Sequence, residues 1–288
     1  MAAPHPSTQF EAPSSIKTGS CLGDLYSPHT IWLIGESFRD VLTRFDLDKF
    51  TVEAVDQSRD LPFKNKTYQI GAVLRGHLPT DSKAALKALS QSLGPKLNRT
   101  EGNGLQPMFY MPHSHLLASF ADTNDDEIFD ISVDLNFDLT TRFTAEFSIR
   151  PFIEARTRRT LQLLSKRSND PNPHVRRLIS EGTRPRLPWA SHLYIIRKDP
   201  ELTMPFLEAL KSDDCRYVTR SVANHLGDIG KDNLDLMLGT CERWIVESET
   251  GNLTEASSKE LRWVIRHALR HPAKKGHTIA NILRIKAH

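Results

Sequence analysis

Four acidic residues lie within the most basic segment of this sequence. From Arg142 to Arg186 there are ten arginines and one lysine, and the acids among them are Glu146, Glu154, Asp170 and Glu181. A carboxylate weakens the binding of phosphate groups, so its presence in such a segment needs a reason. Two reasons stay open: the acids pair with neighbouring arginines, or they stabilise positive charge that develops on a ligand during a reaction. In the second case a carboxylate also orients or deprotonates water.

A further carboxylate falls on the polar stripe of a helix predicted over residues 217–230. One stripe of this helix is apolar and consists of Val218, Val222, Leu226 and Ile229. A second stripe, rotated away from the first, consists of Arg220, Asn224, Asp228 and Lys231. We interpret the second stripe as a ligand-binding face. The alternative is a solvated face with helical pairing, which is worth about 0.2–0.5 kcal/mol per pair.

The segment that precedes this helix has the same arrangement. Arg177, Glu181 and Arg184 lie at positions i, i+4 and i+7, while Val175, Leu178 and Ile179 form the packing stripe. Two prolines in the following loop, Arg184–Trp189, stop the helix and stiffen the chain. Trp189 is either a core anchor or an exposed aromatic platform.

The last basic segment aligns three arginines on one helical face. Arg262, Arg266 and Arg270 follow at four-residue steps, and Lys274 and Lys275 come next. Three aligned guanidinium groups repel one another unless an anionic partner lies alongside. We therefore predict phosphate contacts for this face.

Charge is distributed unevenly over the 288 residues. Residues 1–140 hold 12 Lys and Arg against 18 Asp and Glu, whereas residues 141–288 hold 26 against 17. A basic second half favours a polyanion-binding surface, and scattered solubilising charge is the alternative.

Composition excludes several classes of protein. No apolar stretch approaches the roughly 18–20 residues that cross a bilayer, and the first twenty residues lack the apolar core of a secretory signal. The three cysteines, without C-x-x-C spacing, argue against a disulfide framework and for a reducing compartment. His113 and His115 have no further ligands at metal-site spacing, so no zinc module is expected.

The pattern of apolar residues predicts an all-α chain. Residues 1–20 are polar and Pro-rich and are expected to form a disordered tail, while residues 21–288 are expected to form a single domain. Helical spacing starts near Ser27, with two amphipathic runs over Thr67–Leu78 and Ser82–Leu93. Long strand-like alternation is absent, so no sheet is expected. Three helix starts are predicted at Asn172-Pro173, Asp199-Pro200 and Ser257-x-x-Glu260.

A weak internal repeat indicates the architecture. His174–Arg177 recurs 43 residues later as Tyr217–Arg220 and 46 residues after that as Trp263–Arg266. This period is typical of HEAT-type helical repeats. The expected fold is therefore a HEAT-like helical-repeat solenoid in which helix pairs bury their apolar faces against their neighbours and leave one continuous concave surface.

Four strings in the basic half resemble one family. They are Arg142–Phe152, His174–Trp189, Ser221–Asp228 and Trp263–Arg270. All four resemble the AlkC branch of the HEAT-like alkylpurine DNA glycosylases, and the similarity extends from about residue 27 to 276. The resemblance implies excision of cationic alkylated bases, notably N3-methyladenine and N3-methylcytosine, from duplex DNA without full base extrusion.

The resemblance also implies a set of site residues. Family members have acids at the positions of Glu146, Glu181 and Asp228 and an aromatic at that of Trp189. We assign Asp228 the lead role, with Glu181 and Glu146 adding negative potential and Trp189 stacking on the nucleotide at about 0.5–2 kcal/mol. The residues expected to hold DNA phosphates are Arg150, Arg177, Arg184, Arg186, Arg220, Lys231, Arg266, Arg270 and Lys274.

The sequence departs from the family pattern at several points. The pair Thr219-Arg220 stands where relatives commonly have two basic residues. Gly227 and Gly230 replace residues that are usually less flexible, which could loosen the helix end that holds Asp228. Some relatives continue into a C-terminal immunoglobulin-like domain, which this sequence is not expected to have. We expect a monomer that needs no cofactor, metal, membrane or obligate protein partner. The expected location is the cytoplasm, on the nucleoid, or the nucleus in a eukaryote.

Two other functions remain as alternatives. A non-catalytic HEAT-like scaffold that binds nucleic acid or protein explains the arginines and the repeat, but not the acids and Trp189. A metal-dependent nuclease is weaker, because acids spaced 35 and 47 residues apart among arginines make a poor cation site.

Overall fold

The computed structural model describes residues 3–16, 18, 20–250 and 253–288, and within these it is all-helical. The described residues contain no β-strand, which confirms the predicted all-α fold class. Two compact units divide the chain, Met1–Ala155 and Arg156–His288. The single domain predicted over residues 21–288 stays a prediction.

The first unit contains helices α1 to α8 among its described residues. They are α1 (Pro6–Gln9), α2 (Pro28–Arg39), α3 (Leu47–Ser58), α4 (Phe63–His77), α5 (Ser82–Gln91), α6 (Met111–Ala118), α7 (Asp126–Thr140) and α8 (Ile149–Ala155). Short 3-10 turns at Leu22–Leu25 and Gln106–Tyr110 complete it. Helices α4 and α5 confirm the two amphipathic runs predicted from the sequence.

The second unit contains helices α9 to α17 in the part that the structure describes. They are α9 (Thr157–Ser165), α10 (Pro173–Gly182), α11 (Tyr194–Lys198), α12 (Met204–Leu210), α13 (Arg216–Ile229), α14 (Leu234–Thr250), α15 (Glu255–Ala268), α16 (Arg270–Lys274) and α17 (Thr278–Lys286). The helix predicted over residues 217–230 corresponds to α13.

Much of the predicted N-terminal tail is ordered in this structure. Helix α1 is capped by His5, whose ring also hydrogen-bonds the Ser92 carbonyl at 3.1 Å. The Phe10 side chain is buried, and its ring centroid lies 5.7 Å from that of Phe109. The prediction of disorder is wrong for residues 5–10, because one buried aromatic ring and one histidine bond attach this polar segment to the core. Residues 1, 2, 17 and 19 of the predicted tail lie outside the described residues.

The three repeated segments lie on helices that pack in succession within the second unit. They belong to α10, α13 and α15, and α13 packs between the other two. The apolar stripe of α13 supplies the contact, since all four of its members are buried: Val218, Val222, Leu226 and Ile229. Each helix thus buries its apolar face against a neighbour, as the repeat predicts.

The helix starts agree with the sequence in one case of three. Asn172 caps α10 by accepting a hydrogen bond from the His174 amide at 2.9 Å. Asp199-Pro200 begins only a 3-10 turn, Pro200–Leu202, and α12 starts at Met204. Helix α15 begins three residues before the predicted start, because Thr254 rather than Ser257 caps it. No described helix has the length and apolarity that a bilayer crossing requires.

Candidate carboxylate site

Two carboxylates of the second unit meet around one arginine. Glu181 lies at the end of α10 and Asp228 at the end of α13, and Arg184 follows α10 directly. Arg184 Nη1 donates to Glu181 Oε1 at 2.7 Å, and its Nε donates to Asp228 Oδ2 at 2.8 Å. All three side chains are buried, with exposed fractions of 8%, 3% and 9% for Glu181, Asp228 and Arg184. Acids that stand 47 residues apart in the sequence therefore form one buried site.

The remaining carboxylate oxygens of this site are also engaged. Ser221 Oγ donates to Glu181 Oε2 at 2.6 Å, and Lys231 Nζ donates to Asp228 Oδ1 at 2.8 Å. Arg177 Nη2 lies 3.4 Å from Glu181 Oε1. The Lys231 side chain is 48% exposed, so it covers Asp228 from the solvent side. We use the name carboxylate site for Glu181, Arg184, Asp228 and their partners Arg177, Ser221 and Lys231.

Charge is retained in this site despite its burial. Burial opposes ionisation of Glu181, but the Arg177 and Arg184 guanidinium groups and the Ser221 hydroxyl outweigh it and hold the pKa of Glu181 below its usual value. Burial likewise opposes the charge of Arg184, and the two carboxylates keep its pKa above the usual value. Glu181 therefore stays ionised at neutral pH.

A buried histidine fixes α13 against α10 next to the carboxylates. His225 Nδ1 donates to the Ser180 carbonyl at 2.9 Å, and its Nε2 lies 3.3 Å from Thr203 Oγ1. Burial lowers the pKa of His225 to about 4, so the ring is neutral at neutral pH. The bond to Ser180 sets the rotation of both helices and thereby holds Glu181 and Asp228 in register.

Trp189 is exposed rather than a core anchor. Its side chain is 72% exposed. Among the described residues other than glycine, Trp189 alone has a positive φ, of 65°. An L residue in the left-handed region costs about 1–2 kcal/mol. A large apolar ring held in solvent by strained backbone is typical of a binding surface. Of the two interpretations left open by the sequence, the structure supports the aromatic platform.

The predicted phosphate-binding residues of the second unit differ in exposure. Arg220 and Lys274 are exposed. Arg186 pairs with Asp232 at 2.5 Å, Arg266 donates to the Ala287 carbonyl, and Arg270 donates to Asn224 at 2.9 Å. Arg184 is buried, and the phosphate contacts predicted for all of these residues stay predictions.

Glu146 and Arg150 belong to the first unit. Glu146 is buried and accepts a hydrogen bond from Thr144 Oγ1 at 2.6 Å. Arg150 lies on α8 with only 3% of its surface exposed, so this side chain is not on an open basic face. The prediction that Glu146 contributes to the carboxylate site stays a prediction.

The two glycines near Asp228 do not interrupt α13. The helix continues through Gly227 to Ile229, and the Gly230 amide donates to the Leu226 carbonyl at 3.0 Å. A Cβ atom at Gly230 would overlap the Met237 side chain on α14. This glycine therefore allows close packing of the helix that carries Asp228.

Sequence reasoning missed the residues that hold the site together. Ser221 and His225 lie on α13 seven and three residues before Asp228, and both contact α10. Their spacing on one helix could have been recognised in the sequence, but their hydrogen-bond partners on α10 could not. Among the described residues, no group of three or more His, Cys, Asp or Glu side chains could hold a metal ion.

A solved structure is similar to most of this chain. It is the alkylpurine DNA glycosylase AlkC of Pseudomonas fluorescens, bound to DNA containing an abasic-site analogue. The two share 33% sequence identity with a TM-score of 0.77, over 92% of this chain and 67% of that one. The chain belongs to the AlkC family. This confirms the resemblance found in the sequence.

A second relative of this AlkC family member is known from sequence. The "Uncharacterized protein YhaZ" of Bacillus subtilis strain 168 is 38% identical over 133 residues. The match covers 46% of this chain and 34% of that protein, so the chain spans about a third of its length. No family model matches the chain.

Proposed function

We propose that this AlkC family member is a DNA glycosylase that hydrolyses the N-glycosidic bond of cationic alkylated bases in duplex DNA. N3-methyladenine and N3-methylcytosine are the proposed substrates, released without full extrusion of the base. The observation that carries the proposal is the buried Glu181–Arg184–Asp228 cluster in the basic unit of the chain. The AlkC neighbour bound to abasic-analogue DNA supports the same reaction class.

The chemistry of the substrate explains why carboxylates suffice. Alkylation at N3 makes the base cationic, so the electron pair of the glycosidic bond leaves with the base and neutralises it. The base then needs no proton from a general acid. Positive charge develops at C1′ of the sugar, and a fixed carboxylate beside it stabilises that charge electrostatically. Water adds to C1′ and transfers its proton to the carboxylate or to solvent.

Asp228 is suited to face the sugar through one of its two oxygens. Oδ2 is fixed by the buried Arg184, whereas Oδ1 is covered by the half-exposed Lys231. A DNA phosphate offers Lys231 a competing anionic partner at the protein surface. Transfer of the lysine to that phosphate would uncover Oδ1, while Arg184 keeps the carboxylate in place.

The surroundings of the carboxylate site have complementary roles in this proposal. Glu181, held by Ser221 and Arg177, adds negative potential, and Glu146 is proposed to do the same. Trp189 supplies a ring surface for the nucleotide by stacking or cation–π contact. Exposed basic side chains such as Arg220 and Lys274 bind flanking phosphates and set the register of the strand.

One observation favours the alternative of a non-catalytic DNA-binding scaffold. Every oxygen of Glu181 and Asp228 has an intramolecular donor. Such an arrangement also occurs in a purely structural ion-pair network. A scaffold of this kind would bind DNA through the same exposed basic side chains but would leave alkylated nucleobases in place.

A release assay separates the two functions. Duplex DNA methylated by an alkylating agent is incubated with the protein, and free bases are separated and quantified. The glycosylase proposal predicts release of N3-methyladenine or N3-methylcytosine above the spontaneous rate, both with and without EDTA. Binding of the same DNA without release supports the scaffold, and strand cleavage that requires magnesium supports a nuclease.

A further inference from the structure

Asn224 lies on the same face of α13 as the carboxylate site, one turn before Asp228. Four residues of helix separate the two, or about 6 Å along the axis. Ser221, three residues earlier, donates to Glu181. The Asn224 side chain is half-buried and takes no part in the chemistry proposed above. Its position places an amide beside the atoms that are proposed to react.

The orientation of this amide is fixed by an arginine. Arg270 Nη2 donates to Asn224 Oδ1 at 2.9 Å, and His267 Nε2 lies 3.2 Å from the same oxygen. A guanidinium can only donate hydrogen bonds, so the atom that faces Arg270 must be the amide oxygen. The amide nitrogen, with its two N–H groups, consequently points away from Arg270. Within the described part of the chain, no protein atom accepts a hydrogen bond from Asn224 Nδ2.

The two donors are themselves held in place. Arg270 Nη1 donates to the His267 carbonyl at 2.6 Å. The His267 ring stacks on Trp263 with centroids 4.7 Å apart, and the Arg216 guanidinium lies 3.8 Å from the same Trp263 ring. Burial and the nearby Arg270 and Arg220 charges lower the pKa of His267 to about 4, so a neutral ring donates through Nε2–H. A rigid support thus presents one pair of amide donors.

Charge along the helix indicates the acceptor that these donors fit. Arg220, exposed, lies four residues before Asn224, and Lys231, half-exposed, lies seven residues after it. Both are cations on the polar stripe that also carries Asp228. An amide between two cations, one turn from the carboxylate that is proposed to face C1′, is placed to meet the sugar–phosphate strand rather than a base edge.

We propose that Asn224 donates a hydrogen bond to a phosphate oxygen that flanks the damaged nucleotide, and so positions C1′ against Asp228. Arg270 and His267 orient the amide for this contact. The inference rests on the proposed function, because it assumes that the strand lies along this face. It assigns a DNA contact to Asn224 and a positioning role to Arg270, which the arginine spacing had suggested as a phosphate ligand.

The test combines the Asn224→Asp variant of the protein with neutral phosphate replacements in the DNA, as in a double-mutant cycle. Aspartate keeps an oxygen for Arg270 and His267 but has no N–H to donate and repels a phosphate. Binding is measured on duplexes with an abasic-site analogue, which need no catalysis. One duplex contains only phosphates. Each of the others carries one uncharged methylphosphonate, either directly beside the analogue, on one side or the other, or far from it. Unfolding by urea checks that the variant is folded.

The proposal predicts a position-dependent loss. On the all-phosphate duplex, Asn224→Asp should bind about ten-fold or more weakly, as expected for a hydrogen bond to a charged group. One flanking methylphosphonate should remove most of that difference, and the distant one should leave it intact. An equal loss on every duplex, or no loss, would overturn the assignment. No affinity of the wild-type protein for any of these duplexes would instead contradict the proposed function itself.

Discussion

Arg184 determines whether Glu181 and Asp228 can exist as buried anions. Its guanidinium bonds both carboxylates, and only 9% of its side chain is exposed. Removal of one partner from a buried ion cluster leaves charge without compensation in a region that water does not reach. The same residue thus supplies the stability of the site and the fixed orientation that electrostatic catalysis requires.

The Arg184→Met variant should lose much of its stability. We expect the free energy of unfolding to fall by about 3–5 kcal/mol, as for other buried pairs that lose one member. Chemical denaturation at pH 7 measures this, and the deficit should shrink at low pH as the carboxylates protonate. Arg186→Met is the matched control, because its pair with Asp232 is about a quarter exposed and should be worth less than about 1 kcal/mol. Equal losses in the two variants would contradict the role of Arg184.

His225 should make stability depend on pH between neutrality and pH 4. Burial lowers its pKa from 6.5 to about 4 in the folded chain, so protons bind the unfolded chain more readily. Its contribution is therefore complete above pH 6.5 and is lost as the pH falls towards 4, by up to about 3 kcal/mol. Denaturation of wild type and His225→Gln across this range isolates the effect. Parallel curves for the two proteins would show that His225 does not titrate in this way.

At the scale of elements, the loop between α10 and α11 carries the exposed platform. This loop follows Arg184 directly, so the bridge that fixes the carboxylates also fixes where the loop begins. Trp189 then adopts a φ of 65° with its ring in solvent. The ring is neither buried nor part of a helix, and its role as a stacking surface for the nucleotide stays a prediction.

The Trp189→Gly variant should separate stability from binding. Glycine adopts a positive φ without strain, so the free energy of unfolding should stay the same or rise by about 1 kcal/mol. Affinity for duplex DNA with an abasic-site analogue should fall several-fold because the stacking surface is lost. The control is Tyr68→Ala, which removes an aromatic side chain that is 61% exposed on the first unit and should leave DNA affinity unchanged. A stable Trp189→Gly protein with wild-type affinity would rule out the platform.

The sequence predicted elements better than it predicted the partners of their side chains. Helical spacing located α4, α5, α10 and α13, because apolar periodicity is a local property. It could not tell that Arg184 turns inward while Arg220 stays exposed, since both lie on arginine-rich helical segments. The two acceptors that hold Arg184 inside, Glu181 and Asp228, lie 3 and 44 residues away in the sequence. The ordered N-terminal segment was missed for the same reason, because a single Phe10 that finds Phe109 outweighs a polar composition.

At the scale of the whole molecule, the uneven charge predicts salt-dependent binding of DNA. The second half of the sequence is basic, and the exposed residues among those predicted to bind phosphates include Arg220 and Lys274. Each phosphate contact releases counterions and adds about −0.9 to the slope of log K against log salt concentration. Binding through several phosphates therefore weakens steeply as salt rises.

Single substitutions should change this slope by about one contact each. Arg220→Ala and Lys274→Ala are expected to reduce its magnitude by about 0.9 in titrations at several salt concentrations. Lys87→Ala, an exposed lysine on α5 in the acidic half, should leave the slope unchanged. A slope near zero for the wild-type protein would favour a protein-binding scaffold over a DNA-binding one.

The central claim is that a fixed carboxylate at position 228 stabilises the positive charge formed at C1′. Asp228→Asn keeps the size of the side chain and removes its charge, so DNA binding should persist. The measurement is single-turnover release of N3-methyladenine from saturated methylated duplex. We expect a rate on the order of 10²–10³ lower than that of the wild-type protein, the usual effect of removing one electrostatic group from an active site. Release by Asp228→Asn at close to the wild-type rate, with equal DNA affinity, would contradict the claim.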